Sequence, residues 1–275
     1  MAESEQAQQP AHTLLTPIRG RVRPEAVAWQ TFHDPHGRPT TPVRMLLDTG
    51  KPGDPYVLQA QFPANFTAGL HWHPFDTVYI ITKGEMSVGD EGVYRVGDIR
   101  WVRAGHIYGP ERAGAQGVEF LLVSLGGPIG LHWADLIEVP EPLTQRLQAT
   151  GPKWGRVNVA DVEWERFHDP AGRPTLPVKA LLSDDPYLLA TIFQPDDVIG
   201  EHWHDCDTLY FITRGTMRFG AEGWFQAGDI RWVRGGHSYG PEESGPEGVE
   251  FLLLSCGGPV ALHWADLEAP PHGSV

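Results

Sequence analysis

The stretch Leu70-His71-Trp72-His73-Pro74-Phe75-Asp76-Thr77-Val78-Tyr79 decides how this chain reads, and it occurs a second time as Glu201-His202-Trp203-His204-Asp205-Cys206-Asp207-Thr208-Leu209-Tyr210. In an extended strand, residues two apart point to the same face. Each His-x-His triplet therefore aims two imidazoles at one point and sends the tryptophan the other way. Two converging imidazoles are half of a transition-metal site.

The duplication extends well beyond the triplets. Val27 to Val43 matches Val162 to Val178, including Phe32-His33-Asp34-Pro35 against Phe167-His168-Asp169-Pro170. Trp29 and Trp164 stand 135 residues apart, whereas His71 and His202 stand 131 apart, as do His106/His237 and His132/His263. The four-residue difference falls near Asp48–Pro55, in the turn-rich Thr49-Gly50-Lys51-Pro52-Gly53, where an insertion costs little. A period this long means tandem domains rather than a solenoid.

Composition bounds the rest. A chain of 275 residues accommodates two ordinary domains. A net charge of −14 argues against nucleic acid or an anionic membrane as partner. No apolar run approaches transmembrane length, and Met1 to Pro10 lacks the pattern of a signal peptide, so a cytoplasmic location is expected. Two cysteines, Cys206 and Cys256, do not form a disulfide framework. Short apolar runs split by Gly or Pro read as strands: Tyr56–Phe62, Thr77–Thr82, Glu85–Val88, Val93–Val96, Asp98–Val102 and Val118–Val123. Lys83-Gly84 and Val96-Gly97-Asp98 read as tight turns, and a short helix is expected over Glu141–Ala149. The fold class is all-β.

These residues resemble the cupin superfamily, and their duplication resembles a bicupin. His71, Trp72, His73 and Gly84 fit the first cupin motif, with His202, Trp203, His204 and Gly215 as the second copy. Gly97-Asp98 with Gly105, and Gly228-Asp229 with Gly236, fit the opening of the second motif. The resemblance implies two tandem double-stranded β-helix (jelly-roll) barrels. The expected limits are an N-terminal arm over 1–24, a first cupin domain over 25–138, a linker over 139–159, a second over 160–270 and a tail over 271–275. The arm reads as solvated, with packing on a neighbouring subunit as the alternative.

Two departures bear on the metal. The place of the family's glutamate ligand holds Thr77 and Thr208, and the adjacent Asp76 and Asp207 face away unless the strand bulges. The likeness thus shifts toward three-histidine cupins, such as the cysteine dioxygenase and acetylacetone-cleaving dioxygenase types. A gapless alignment puts Tyr108 and Tyr239 at the third-histidine place, with His106 and His237 two residues earlier, and puts Arg103 and Arg234 where the family has proline. The expected ligands are His71, His73 and His106, and His202, His204 and His237, because imidazole suits a borderline metal better than a protonated phenol. A tyrosine ligand, or a site with two histidines, stays as the alternative.

Other polar residues carry paired readings. Arg100 and Arg231 lie mid-strand, either in salt bridges on a solvated face or gripping a substrate carboxylate. Glu119 and Glu250 interrupt apolar strands, either outward or as inward acids. His33 and His168 belong to a rigid hairpin tip, with a place at a barrel mouth as the alternative, and His132 and His263 read as structural.

The resemblance implies one divalent metal per barrel, with Fe(II) favoured and Mn, Ni or Zn as alternatives. It points to an oxygenase of dioxygenase type acting on a small oxygenated organic acid, dicarbonyl or phenolic compound. Tyr108, Arg100, Tyr239 and Arg231 would orient an anionic substrate. A non-redox decarboxylase or isomerase, and a ligand-binding sensor, are the other readings. The expected assembly is a monomer or homodimer.

Overall fold

The computed structural model describes residues 13–15, 18–33, 39–168, 172 and 174–274. The first barrel is an antiparallel sheet in the order Trp154–Asn158, Asp98–Val102, Thr77–Val88, Glu111–Ser124, Tyr56–Phe62, Pro39–Leu47, Gln30–His33. The second runs Thr13–Leu15, Arg19–Val22, Ile230–Val233, Asp207–Phe219, Glu242–Cys256, Tyr187–Phe193, Pro174–Ser183, Glu165–His168. Short pairs add to these: His71–Trp72 with His132–Trp133, and His202–Trp203 with His263–Trp264.

Period-two alternation sorts each strand between two cores. In Thr77–Val88, Val78 and Ile80 face one side, while Tyr79 and Ile81 face the other. Phe120 and Leu122 line the first barrel, whereas Leu121 and Val123 turn outward. The outward residues meet Leu209, Phe211, Leu252 and Leu254 of the second barrel in one shared apolar layer. Both barrels thus pack face to face, with an interior core each and a third core between them.

Two strands are exchanged between the barrels. Arg19–Val22 pairs with Ile230–Val233 of the second barrel, and Trp154–Asn158 pairs with Asp98–Val102 of the first. The edges are pinned by charge: Arg21 and Arg23 reach Asp229, and Arg156 and Asn158 reach Asp98. The end of the expected solvated arm is thus a strand, because its backbone and its arginines find partners on the other copy. The expected linker likewise ends in a strand after the helix Glu141–Ala149. Residues 1–12 of the arm lie outside the described residues.

Other expectations shift. Lys83-Gly84 is no turn; Thr77–Val88 runs through it as one bent strand. Gly84 has φ 69° and a Cβ there would sit 2.1 Å from the Gly117 carbonyl oxygen, so the bend demands glycine. The turn after His33 and its counterpart after His168 lie largely outside the described residues. No helix among the described residues is long and apolar enough to cross a membrane.

Candidate active site

The short strand His71–Trp72 is held from both sides. His71 forms a bridge with Tyr108, and Trp133 pairs with His71. Alternation turns Trp72 out to stack on His132, with ring centroids 4.3 Å apart, and turns His71 and His73 into the barrel. Each imidazole is fixed through Nδ1: His71 to the Gly69 carbonyl at 2.8 Å, and His73 to the Gly130 carbonyl at 2.6 Å. A carbonyl can only accept, so Nδ1 carries the proton and Nε2 keeps its lone pair. Burial pushes His73 down to about 3, helped by the neighbouring His71. His73 is therefore neutral at ordinary pH, and both rings present Nε2 to the barrel interior.

Glu111, at the start of the strand Glu111–Ser124, meets this pair. Its carboxylate lies 3.8 Å from His71 Nε2, both side chains are 2 % exposed, and its Oε1 has no hydrogen-bond partner. Tyr79 completes the group. Its hydroxyl stands 3.4 Å from His73 Nε2 and 2.5 Å from the Tyr108 hydroxyl.

The second barrel repeats the plan. His202 and His204 fix Nδ1 on the carbonyls of Gly200 and Ala261. Glu242 lies 3.8 Å from His202 Nε2, and Tyr210 and Tyr239 share a 2.5 Å bond. Burial lowers His202 to about 4 and His204 to about 3, and raises Glu242 to about 7. His204 Nε2 and Glu242 Oε1 are buried without partners.

The expected third histidines are elsewhere. Tyr108, not His106, stands in register with His71; the His106 ring is half-buried and 6.4 Å from the Tyr108 ring. His237 packs beside His272, with ring centroids 5.3 Å apart. A turn explains this: the His106 amide bonds back to the Arg103 carbonyl, so strand parity does not carry from His106 to Tyr108. Among the described residues, no three His, Cys, Asp or Glu side chains stand already grouped to hold an ion.

Arg100 and Arg231 are fully buried rather than solvated. Arg100 is held by Glu91 through two bonds of 2.6 Å, and its guanidinium lies 4.1 Å over the Tyr108 ring. Arg231 is held by Glu222 and lies 4.1 Å over Tyr239. Each ion pair takes the Nε–Nη2 edge of its guanidinium, and only Nη1 is left without a hydrogen-bond partner. Glu119 and Glu250 face outward to Lys83 and Arg214. Asp76 is buried and caps the Ala104 amide while pairing with Arg103.

A cavity of about 420 Å³ opens on this group in the first barrel. His71, His73, Tyr79 and Glu111 form its polar end, and Phe62, Leu58, Phe120 and Leu122 are among its apolar walls. His33 lies at its exposed side. Its described lining contains no Lys or Arg. Sequence reasoning missed Glu111, Tyr79 and Glu91. The signal for Glu111 was there: Pro110-Glu111 recurs as Pro241-Glu242 at the same offset as the histidines.

No family profile matches the sequence, and no curated protein matches it. Solved structures do match in shape. A Nostoc punctiforme protein assigned provisionally as a dioxygenase superposes with TM-score 0.68 at 15% identity, covering 88% of this chain and 84% of that one. An oxalate decarboxylase of Bacillus subtilis gives 0.61 at 14% identity, covering 91% and 80%. The Lactobacillus farciminis oxalate decarboxylase, in a formate complex, gives 0.60 at 14% identity, covering 93% and 90%. The fold is that of a two-barrel cupin. Such a two-barrel cupin arrangement accounts for the paired sites, one in each sheet, that the repeat produces.

Proposed function

We propose that the chain is a metal-dependent cupin enzyme whose substrate enters the cavity of the first barrel. One observation carries the reading: two imidazoles, locked through Nδ1, present Nε2 beside a buried carboxylate at the end of an apolar cavity. The donor set fits a divalent ion in kind. Two imidazoles and one carboxylate are a familiar set for iron with open positions. Glu111 Oε1, Glu242 Oε1 and His204 Nε2 are buried without a hydrogen-bond partner, which leaves their lone pairs for an ion. His71, His73 and Glu111 would hold one ion, and His202, His204 and Glu242 a second. When bound, such an ion supplies Lewis acidity and, as iron, dioxygen chemistry.

The chain's own residues set the substrate class. Apolar walls exclude water and favour a carbon body. With Arg100 engaged by Glu91 and no Lys or Arg along the described lining, a doubly charged diacid would meet the ion as its only described counter-charge. A dicarbonyl or phenolic compound fits better, and oxygenase chemistry is the reading we favour. The fold neighbours named as oxalate decarboxylases motivate non-redox decarboxylation as the second reading. Oxygen uptake and carbon dioxide release, measured on anaerobically purified, Fe(II)-loaded protein with a panel of diketones, phenols and small acids, separate the two. The His71→Ala/His73→Ala variant should lose the activity. If Fe, Mn, Ni and Zn all fail to bind at near one ion per barrel, the reading is wrong.

A further inference from the structure

The two barrels flank their buried carboxylates differently. Glu111 stands opposite Ala68 in an antiparallel pair, and Glu242 stands opposite Ile199. Residues directly opposite in such a pair share a face, with Cβ atoms about 5 Å apart. Ala68 is 6 % exposed and lines the cavity together with Glu111. Its side chain is a single methyl, so the flank of the carboxylate is open to the cavity. Ile199 carries three more carbons at the corresponding place and packs against the interior core of the second barrel. A second exchange changes the wall. In the first barrel the rings of Phe66 and Phe120 lie 4.9 and 5.2 Å from that of Phe62, and all three line the cavity. Phe193 and Phe251 keep two of these places in the second barrel, but Phe66 becomes Asp197, whose carboxylate accepts from the Gln194 amide at 2.7 Å. Room is gained elsewhere: Met45, two strands across from Glu111, becomes Ala180. The second interior is thus crowded beside its carboxylate and relieved away from it.

A ligand that chelates an ion beside Glu111 sets its oxygens at the polar end of the cavity and lays its carbon body along this flank. Resting on the metal-dependent reading above, we propose that Ala68 is the residue that admits a ring. The first barrel takes a planar, ring-bearing chelator of the catechol or aryl-dicarbonyl class, with its ring beside Ala68 and against the wall of Phe62, Phe66 and Phe120. Ile199 closes the matching flank, so the second barrel takes only chelators without a ring. The duplicated chain thus carries one donor set twice and two ligand sizes. Ala68 meets the carbon body of the ligand and no donor atom, so it acts on which ligands bind and not on the ion.

The test uses the full chain loaded with Co(II) and two chelators that differ in carbon body, 4-nitrocatechol and acetohydroxamate, with binding followed by visible absorption. A His202→Ala/His204→Ala background isolates the first barrel, and a His71→Ala/His73→Ala background isolates the second. The affinity for 4-nitrocatechol relative to acetohydroxamate should be at least about tenfold higher in the first barrel than in the second, the cost of forcing a ring into space that three carbons already fill. In the first barrel Ala68→Ile should weaken 4-nitrocatechol about tenfold or more while leaving acetohydroxamate and Co(II) within about twofold. In the second, Ile199→Ala should tighten 4-nitrocatechol by about the same factor. Equal relative affinities in the two wild-type barrels, or no response to either exchange, overturn the proposal. So does an Ala68→Ile variant that loses acetohydroxamate or Co(II) along with 4-nitrocatechol, because the residue would then be supporting the ion site rather than selecting its ligand. Wild-type protein that binds no Co(II) sinks the metal reading itself. Should Ala68→Ile not fold, Ala68→Val takes its place, and the comparison of the two wild-type barrels needs neither variant.

Discussion

Replacing Glu91 by alanine strands a cation. The Arg100 side chain is 0 % exposed and Glu91 4 %. Glu91 meets Arg100 Nε and Nη2 at 2.6 Å each and accepts from the Tyr94 hydroxyl at 2.8 Å. Removing one member of such a buried pair costs about 3–5 kcal/mol, because the remaining charge is neither solvated nor matched. That is a large share of a total stability of about 5–15 kcal/mol. Unfolding entropy is about 2.1 cal/mol/K per residue, so 275 residues melting together carry about 0.6 kcal/mol/K. A loss of about 4 kcal/mol then lowers Tm by about 7 °C, or about twice that if the first barrel melts alone. Calorimetry on wild type, Glu91→Ala, Arg100→Met and the Glu91→Leu/Arg100→Met pair tests this. The double variant should recover at least half of the loss, since it removes the stranded charge as well as its partner. A Glu91→Ala protein that melts like wild type would refute the reasoning, because Arg100 would then have found water or another acid.

Glu111→Gln should weaken metal binding by about tenfold or more while leaving the metal-free melting temperature within a few degrees, read by calorimetric titration. Truncation after Arg23 should expose Ile230–Val233 as an open edge, so amide exchange should rise there and not in Asp98–Val102. The metal-free protein should lose stability as pH falls from about 6.5 toward 3. His73, His202 and His204 have folded values near 3, 4 and 3, below their unfolded value, so the unfolded chain binds more protons in that window. Glu242, raised to about 7, acts oppositely between about 4.5 and 7, so Glu242→Gln should steepen the acid loss measured by Tm against pH.

The barrels were legible because their signals are local: alternation in Tyr56–Phe62 and Asp98–Val102, glycines at the bends, and a repeat that doubles each signal. The inward pair His71/His73 followed from the same alternation. What failed were inferences across a break in the strand. His106 and Tyr108 lie in and just after a turn, so the place of each relative to the histidine pair could not be read from strand alternation. Glu111 lies about forty residues from His73 in sequence, and only the closed barrel brings it near, so no spacing rule could join them. The salt-bridge reading of Arg100 named no partner: Glu91 comes from the adjoining loop, and burial of both is a tertiary fact. The exchanged strands were hidden for a similar reason: Gly20-Arg21-Val22 and Gly155-Arg156-Val157 correspond in the repeat, yet a sequence does not say which sheet a strand will join.

That crossing of edge strands makes the polypeptide indivisible at the seam between its repeats. Cleaving it at the exposed Gly151–Lys153 would give fragments that each carry a piece belonging to the other. The nicked molecule should stay clasped under native conditions and separate only in denaturant. Either fragment expressed alone would present a raw margin, and its natural remedy is a second copy of itself, so the split halves should be recovered as homodimers or insoluble material rather than as lone barrels.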